Sequence, residues 1–373
     1  MQLGRSVDAD GHVLEPPDLW QKNLEGKFKD RALGLARDKD GVESIIVEGH
    51  FSSLSRGFGI AAAFGQPGEV AFSNEFSYLD GPPGAYDPHA RIKWMDEEGI
   101  DASVLYPTIG LTWEGEVNDP ELAMAYCRVY NEWIADFCRP YPNRLYGVAH
   151  ISLMDVERAV TELHRVAKMG LKGVMLTPWP ANGRAYGDTY YDPFWAVAQD
   201  YGLPVGLHVI ARPNYHGSQW YNHPTFRGSA FYYLSVTLGF DIQGSFVSFF
   251  EGGALERFPR LKLLCLEVGA GWLPHFIERM DSKWEHSGFM TACKRRPSEY
   301  FRRQVWIGAD VDESMIPPAS ERWGSDKFFW SSDFPHFDGF PGALKTLKQN
   351  IAKMPPADQQ NIIGDNATRA YNL

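Results

Sequence analysis

Short apolar runs recur along the chain, and most are followed by a stretch in which apolar residues have helical spacing. Eight such runs predict strands: Ser6 to Val13, Ala102 to Tyr106, Leu145 to Ser152, Gly173 to Leu176, Pro204 to Val209, Leu261 to Glu267, Val305 to Gly308 and Phe328 to Ser332. Helical spacing, with Asp or Pro at several starts, predicts helices over 87–98, 120–139, 156–168, 193–200, 272–284 and 340–353. Alternation of this kind is typical of parallel βα units.

The number of strands predicts an α/β fold of the (β/α)8 TIM-barrel class, with the whole of 1–373 as one domain. An open doubly wound sheet would carry a glycine-rich phosphate loop after its first strand, and none stands there. Two segments interrupt the rhythm, at about 20–86 after strand one and 212–253 after strand five. We interpret them as insertions, the first placed to cover a site and the second as a pocket wall that leads into an apolar helix.

Composition narrows the classes of function. Hydrophobic residues make up 44% of the chain, enough for a sizeable core. The formal charge of -11 disfavours binding to nucleic acid or to an anionic membrane surface. No apolar run reaches the roughly 20 residues that span a bilayer, and the N-terminus lacks the pattern of a signal peptide. The four cysteines have no paired spacing, which indicates reduced structural thiols. We expect a cytoplasmic protein that acts on a small molecule.

Acidic and imidazole side chains stand at or near the C-terminal ends of four predicted strands. They are Asp8, Asp10, His12, His208, Glu267 and Asp333. Chemistry in βα barrels takes place at these strand ends, so we expect the side chains to converge, with those of strand one on a single face. A mixture of carboxylates and imidazoles binds zinc, manganese or iron and leaves room for water or substrate. Each residue alone also has a structural explanation, such as a turn, a helix cap or a hydrogen-bonded core histidine.

Substrate contacts are predicted in the loops beyond the strand ends. Arg212 follows strand five and suits a carboxylate, a phosphate or a thioester-linked anion, and Trp113, Trp179 and Trp220 offer apolar surface. Ordinary loop packing explains these four side chains about equally well. Glu15 follows strand one closely and is predicted either to ligate the metal or to support a ligand.

Together these motifs resemble the amidohydrolase superfamily, in the branch that includes aminocarboxymuconate-semialdehyde decarboxylase and γ-resorcylate decarboxylase. The resemblance spans nearly the whole chain, through segments 8–12, 255–262, 271–274 and 332–336. It implies a (β/α)8 barrel with a divalent metal ion, often a homodimer. Members of this branch decarboxylate small or aromatic carboxylates or hydrolyse activated carbonyl compounds.

The resemblance assigns Asp10, His12 and His208 as metal ligands and Asp333 as a ligand or general base. Two positions depart from the family pattern. The first residue of the strand-one pair, often His or Glu, is Asp10 here, which favours harder metals. The strand-six histidine, which assists acid/base chemistry in decarboxylating relatives, is replaced by Glu267. This replacement weakens decarboxylation as the assignment.

Glu267 has two open roles. With a raised pKa it is a general base near neutral pH; as a ligand it bridges a second metal ion. Strand four lacks the lysine that bridges two metals in binuclear amidohydrolases, so a second ion needs another carboxylate. We therefore expect one or two ions per chain, with His336 as a further ligand or proton carrier.

Three functions follow from these residues. The leading hypothesis is metal-dependent hydrolysis or decarboxylation of an apolar, cyclic, carboxylate-bearing compound. The second is a dinuclear iron or manganese oxygenase that hydroxylates an apolar substrate on the same scaffold. The third is a barrel without catalytic activity that serves as a binding or scaffold protein.

Overall fold

The computed structural model of the protein describes residues 4–179, 182–210 and 232–373. Its strands are β1 Val7–His12, β2 Gly34–Arg37, β3 Glu43–Val47, β4 His50–Phe51, β5 Ala102–Tyr106, β6 Leu145–Gly147, β7 Ala149–His150, β8 Val174–Leu176, β9 Val205–Leu207, β10 Leu263–Cys265, β11 Val305–Ala309 and β12 Phe328–Trp330. Each of the eight predicted strands is present, and most of them are shorter than predicted.

The helices of the described residues alternate with these strands. The α-helices are Leu19–Asn23, Gly68–Ala71, Pro88–Glu98, Pro120–Cys138, Val156–Met169, Asp192–Tyr201, Leu238–Glu251, Ala254–Arg257, Leu273–Ser287, Pro297–Gln304, Ile316–Trp323, Ala343–Asn350, Pro356–Gln360 and Asn366–Tyr371. Side chains of Asp87, Asp119 and Asp155 cap the first turns of three of them by accepting backbone N–H groups. The predicted starts at 87, 120 and 156 are therefore confirmed by their cap chemistry.

The strands that carry the site pair in parallel. One sheet has the order β1-β5-β6 and the other the order β12-β11-β10-β9-β8-β7. Their residues are buried almost throughout, as expected for parallel strands covered on both faces. Parallel pairing brings the C-terminal ends of these strands to one edge.

The predicted strand Leu145 to Ser152 is divided into β6 and β7, because the chain changes its hydrogen-bond partner between them. The Val148 N–H donates to the Leu105 carbonyl at 3.0 Å, whereas the Ala149 N–H donates to the Gly173 carbonyl at 2.9 Å. Beyond β12, the Asp333 N–H donates to the Asp10 carbonyl at 3.3 Å. This contact sets the residues that follow the last strand beside the end of β1.

Segment 20–86 contains a small antiparallel sheet, β2-β3-β4, that the sequence pattern did not predict. Its later part returns to the strand ends, where Phe58, Ile60 and Ala61 line a cavity. The first part of the second predicted insertion, residues 212–231 with Arg212 and Trp220, lies outside the described residues.

Four cysteines, Cys127, Cys138, Cys265 and Cys293, are buried and free, as the sequence predicted. Among helices of the described ranges, none has both the length and the apolar character needed to cross a membrane.

Candidate metal centre

Strand β1 supplies two of the clustered side chains, Asp10 and His12. The register of β1 against β5 shifts between Asp8 and Gly11, so the alternation of side chains is interrupted there. A Cβ on Gly11 would lie 2.6 Å from both the Arg91 guanidinium and an Asp8 carboxylate oxygen, so a larger residue would have to displace these buried side chains. As a result, Asp8 does not join Asp10 and His12, contrary to the expectation that all three share one face.

The imidazoles of His12 and His208 are oriented by the backbone. Their Nδ1 atoms lie 2.9 Å from the Pro107 carbonyl and 2.7 Å from the Val209 carbonyl, respectively. When these Nδ1–H groups donate to the carbonyls, the Nε2 lone pairs remain for a ligand. The two Nε2 atoms are 3.2 Å apart, and they lie 3.7 Å and 3.5 Å from Asp10 Oδ1. This geometry places three donor atoms around one point.

Glu267 and Asp333 complete the cluster from the ends of two other strands. Glu267 Oε2 lies 3.3 Å from His208 Nε2, and Asp333 Oδ1 lies 3.6 Å from His12 Nε2. Both residues have a left-handed backbone, with φ of 56° and 50°. This conformation costs a residue with a Cβ about 1–2 kcal/mol and is often found at functional sites.

His336 lies against the cluster, where its ring stacks on that of His12 with centroids 4.0 Å apart. Its Nε2 is 2.8 Å from the Thr108 hydroxyl, and its Nδ1 is 3.0 Å from Asp333 Oδ1. Burial, together with the nearby His208, lowers the pKa of His336 to about 3, so the ring is neutral at physiological pH.

The cluster has the electrostatic character of a cation site. Within the described chain, buried carboxylate oxygens of Asp10, Glu267 and Asp333 have no hydrogen-bond partner. Burial and the Asp333 carboxylate raise the pKa of Glu267 well above its usual range, and burial with Asp338 and Asp10 does the same for Asp333. Buried carboxylates that face one another without donors are compensated by a cation. The set of imidazole nitrogens and carboxylate oxygens therefore fits a divalent metal ion such as zinc, manganese or iron.

The charge of His208 depends on that ion. Burial opposes protonation, but the carboxylates of Asp10 and Glu267 outweigh it and raise the pKa of His208 to about 9. In contrast, burial and the facing histidines His336 and His208 hold the pKa of His12 well below its usual value. Metal binding therefore has to displace a proton from His208.

Two cavities meet at this cluster, and both are lined by Glu267, Asp333 and Asp338. The smaller, of about 180 Å³, has apolar walls. They include Phe58, Ile60, Ala61, Leu111, Val209, Ile210 and Phe337. The larger, of about 530 Å³, carries Asp310 and Asp312 on its wall. One side of the cluster therefore suits an apolar ring and the other is acidic.

Asp8 and Glu15 act through the backbone around the site. The Asp8 carboxylate accepts hydrogen bonds from the N–H and hydroxyl of Ser332, at 2.9 Å and 2.8 Å, next to Asp333. Glu15 accepts the N–H groups of Thr108 at 3.1 Å and Ile109 at 2.9 Å. In this structure Glu15 therefore holds the loop that carries the Thr108 hydroxyl.

The predicted tryptophan contacts have different surroundings. Trp113 is 1% exposed, and its ring packs between Tyr126 and His150, away from the lining of both cavities. Trp179 is half-buried, and its carbonyl accepts the Tyr186 hydroxyl at 3.2 Å. Nothing in these contacts gives Trp113 access to a substrate.

Sequence reasoning missed Thr108 and Asp338. Thr108 stands two residues after the end of β5, where the strand-end rule would have identified it. Asp338 lies in the loop after Asp333 and has no motif of its own. Tyr106 and Tyr371 were also missed: their hydroxyls are 2.7 Å apart, and the Tyr106 ring lies 5.5 Å from that of His208.

The fold and the site together define an α/β enzyme of the TIM-barrel type with a centre for a divalent metal ion. The family model described as Amidohydrolase matches residues 7–373. The chain therefore belongs to the amidohydrolase family, and the resemblance seen in the sequence motifs is confirmed.

Individual relatives extend this result. γ-Resorcylate decarboxylase from Polaromonas sp. (strain JS666) is 26% identical over 299 residues, which cover 76% of this chain and 86% of that protein. An amidohydrolase structure from Mycobacterium avium subsp. paratuberculosis K-10 has a TM-score of 0.84 at 24% identity and covers 100% of both chains. A dihydroxybenzoic acid decarboxylase from Polaromonas sp. JS666, solved with manganese and 2-nitroresorcinol, has a TM-score of 0.69 at 21% identity, over 84% of this chain and 96% of that one. Two of these three proteins are named as decarboxylases, although Glu267 replaces the strand-six histidine here.

Proposed function

We propose that the protein is a metal-dependent, non-oxidative decarboxylase of a small aromatic carboxylic acid. The observation that carries this proposal is the convergence of His12, His208, Asp10 and Asp333 beside an apolar cavity. The sequence similarity to γ-resorcylate decarboxylase over 76% of the chain supports the choice of reaction. It favours decarboxylation over hydrolysis, the other half of the leading hypothesis.

Asp10, His12, His208 and Asp333 would hold the metal ion. When bound, it supplies positive charge that attracts an anionic substrate and stabilises negative charge that develops during the reaction. No Lys or Arg lines either cavity among the described residues. Within that part of the chain, the attraction of a carboxylate therefore depends on the ion; Arg212 remains a predicted second contact.

The apolar cavity positions the ring. Phe58 and Ile60 come from segment 20–86, Leu111 follows β5, and Val209 and Ile210 follow β9. These side chains contribute no hydrogen-bonding groups, so they favour the flat face of an aromatic ring over a sugar or a peptide. The carboxylate-bearing carbon then lies toward Glu267 and Asp333, which line the same cavity.

Glu267 is proposed as the catalytic acid. When the bond between the ring and the carboxylate breaks, carbon dioxide leaves and the electron pair stays on the ring carbon, which must then take up a proton. Burial and the Asp333 carboxylate raise the pKa of Glu267, which favours its protonated form. Glu267 also lines the larger cavity, from which solvent returns the proton after turnover. A glutamic acid thus takes the place of the family's histidine.

The test is a decarboxylation assay with the manganese-loaded protein and a panel of hydroxybenzoic acids. We expect release of carbon dioxide and, in D2O, one deuterium at the carbon that carried the carboxylate. Glu267→Gln is expected to reduce kcat at least 100-fold while one metal ion stays bound. Glu278→Gln, at an exposed glutamate, is the matched control. Hydrolysis of esters without decarboxylation, or uptake of dioxygen with hydroxylated product, would reject the proposal in favour of the other two reactions.

The closure of the barrel, the oligomeric state and the location are separate from the proposed reaction. We infer that the eight parallel strands close into one barrel domain over 1–373, supported by the hydrogen bond from Asp333 to Asp10 next to β1. A homodimer and a cytoplasmic location remain predictions from the sequence and the resemblance. Light scattering and cell fractionation test them.

A further inference from the structure

Strand β1 carries a bulge at the residues that lead into the proposed metal centre. Ala9 and Asp10 together stand opposite a single residue of β5, where the pairing of the two strands shifts. Buried carbonyl groups in a bulge need hydrogen-bond donors from elsewhere, because the ladder is interrupted there. The Asp10 carbonyl accepts the Asp333 N–H at 3.3 Å. The Ala9 carbonyl accepts the hydroxyl of Tyr371 at 3.0 Å, so a side chain of the last helix bonds the bulge that carries Asp10.

Tyr371 connects this bulge to the two imidazoles of the site. Its hydroxyl donates its proton to the Ala9 carbonyl, so it accepts the hydroxyl proton of Tyr106, with the two oxygens 2.7 Å apart. The centroid of the Tyr106 ring lies 5.5 Å from that of His208 and 6.2 Å from that of His12. Both tyrosines are 1% exposed. The two hydroxyls therefore form a buried chain from a β1 carbonyl to a ring that packs against both histidines.

Gly206, in β9 two residues before His208, provides the space for this pair. A Cβ on Gly206 would lie 2.9 Å from the Tyr106 hydroxyl and 3.0 Å from a methyl carbon of Leu266. The surrounding side chains are apolar and come from neighbouring strands; they include Val104, Leu264 and Phe329. A hydroxyl in such surroundings costs free energy unless it is hydrogen-bonded, so the bond between Tyr106 and Tyr371 is maintained.

The last helix, Asn366–Tyr371, is fixed at the opposite ends of the strands. Lys262, which directly precedes β10, donates through Nζ to the Ala370 carbonyl at 3.0 Å. Asn366 donates through Nδ2 to the carbonyl of Ser325, which shortly precedes β12, at 2.7 Å. Both anchors lie at the N-terminal ends of the strands, whereas the metal-site side chains lie at the C-terminal ends. Tyr371 therefore reaches the site from a support that is separate from the loops around it.

We propose that Tyr371 and Tyr106 are positioning residues of the metal centre. The Tyr371 hydroxyl fixes the Ala9 carbonyl, and with it the backbone that directs Asp10. It also holds Tyr106 against the rings of His12 and His208. Groups that orient metal ligands in this way contribute roughly 10–100-fold to metal affinity. This inference rests on the metal site of the proposed function, but it does not depend on the reaction.

The test is titration of the metal-free, full-length protein with Mn²⁺ by calorimetry. Tyr371→Phe keeps the ring and removes the hydroxyl, and we expect it to raise the Kd about 10-fold without a change in the number of ions bound. Tyr106→Phe is expected to raise the Kd less, because the bond from Tyr371 to Ala9 remains. The double variant is expected to match Tyr371→Phe, because both hydroxyls belong to one chain. Tyr300→Phe is the matched control: Tyr300 is also buried, its hydroxyl accepts the Lys294 N–H at 3.0 Å, and we expect no change in Kd.

Electron paramagnetic resonance separates positioning from a general loss of stability. The line shape of bound Mn²⁺ depends on the arrangement of its ligands. We expect it to change in Tyr371→Phe and to stay the same in Tyr300→Phe. The melting temperatures of both metal-free variants are expected to fall by similar amounts, since each variant loses one buried, hydrogen-bonded hydroxyl.

An unchanged Kd and line shape in Tyr371→Phe would overturn the positioning role, whatever the melting temperature. If Tyr371→Phe does not fold, Tyr106→Phe decides in its place, and an unchanged Kd there has the same consequence. Weaker Mn²⁺ binding by the variants of a protein that decarboxylates none of the hydroxybenzoic acids would support the positioning role and count against the proposed reaction. Decarboxylation by the unaltered protein, together with unchanged Kd values in the variants, would do the reverse. The two proposals therefore fail separately.

Discussion

Asp8→Asn tests the buried charge that holds the strand ends together. Asp8 is fully buried, and its oxygens accept hydrogen bonds from the hydroxyl of Ser103 at 2.7 Å and from the N–H and hydroxyl of Ser332. Burial raises the pKa of Asp8, and the fully buried Arg91 guanidinium, which reaches it through the Ser103 hydroxyl at 3.3 Å, opposes this effect as its counter-charge. The substitution keeps the shape of the side chain, removes its charge and replaces one accepting oxygen with an NH2 donor.

The expected loss of folding stability in Asp8→Asn follows from the surroundings of Arg91. Burial lowers the pKa of Arg91 only to about 10, so the guanidinium remains charged at neutral pH. Removal of one partner from a direct buried ion pair costs roughly 3–5 kcal/mol, whereas Arg91 and Asp8 are joined through the Ser103 hydroxyl. Arg91 keeps a hydrogen bond of 2.8 Å to the His12 carbonyl and lies over the rings of Trp94 and Phe334, at 5.0 Å and 4.5 Å. These contacts place the expected loss near the lower limit, at about 3 kcal/mol.

The assay is urea unfolding of the metal-free protein at pH 8, followed by circular dichroism. Asp136→Asn, at an exposed aspartate, is the control and is expected to change the free energy of unfolding by less than about 0.5 kcal/mol. A loss below about 1 kcal/mol for Asp8→Asn would refute the reasoning, because Arg91 would then not depend on Asp8.

Three other perturbations address the site. Burial raises the pKa of Glu15 from 4.5 to about 7. The contribution of Glu15 to folding stability is therefore complete below pH 4.5 and is lost as the pH rises through 7. Glu15→Gln is expected to remove about 3 kcal/mol of this pH dependence in urea unfolding. An unchanged profile would contradict that assignment. His336→Gln is expected to lower kcat about 100-fold with the metal content unchanged, because His336 positions Asp333 and contacts the Thr108 hydroxyl but is not one of the four proposed ligands. Loss of the metal in this variant would make His336 a ligand. Chelation is expected to lower the melting temperature. The loss of folding stability is about 3–4 kcal/mol relative to protein with metal at 100 to 1,000 times its Kd. Equal melting temperatures with and without metal would argue against a cation at the cluster.

Much of the fold could be predicted because local signals and tertiary structure agree. Aspartates at 87, 119 and 155 precede apolar periodic segments, and each caps a helix in the structure. Apolar runs such as Phe328–Trp330 became buried parallel strands. The sheet β2-β3-β4 was not predicted, because its strands are short and the mixed charges around them obscure the alternation.

The strand-end rule predicted the four proposed ligands, but period-two alternation alone could not place Asp8. The register shift before Gly11 turns Asp8 toward Arg91, and such a bulge depends on a partner strand that is remote in the sequence. The orientation of a loop side chain such as Trp113 is also not determined by the local sequence. Its ring occupies the core beside Tyr126, since sequence position after a strand does not fix which way a side chain points.

The two departures from the family pattern act in the same direction. Asp10 stands where relatives often have His or Glu, and Glu267 stands where they have a histidine, so this chain concentrates carboxylates where its relatives use more imidazole. A neutral histidine at position 267 would leave the charge of one divalent ion nearly balanced by Asp10 and Asp333. With Glu267 ionised, one ion leaves a surplus of negative charge, and the site must either keep a proton on Glu267 or bind another cation. The first outcome makes Glu267 an acid and the second makes it a ligand. Metal titration with protons counted at each step separates them: retention of the Glu267 proton with one ion bound supports the acid, and its release on binding of the second ion supports the ligand.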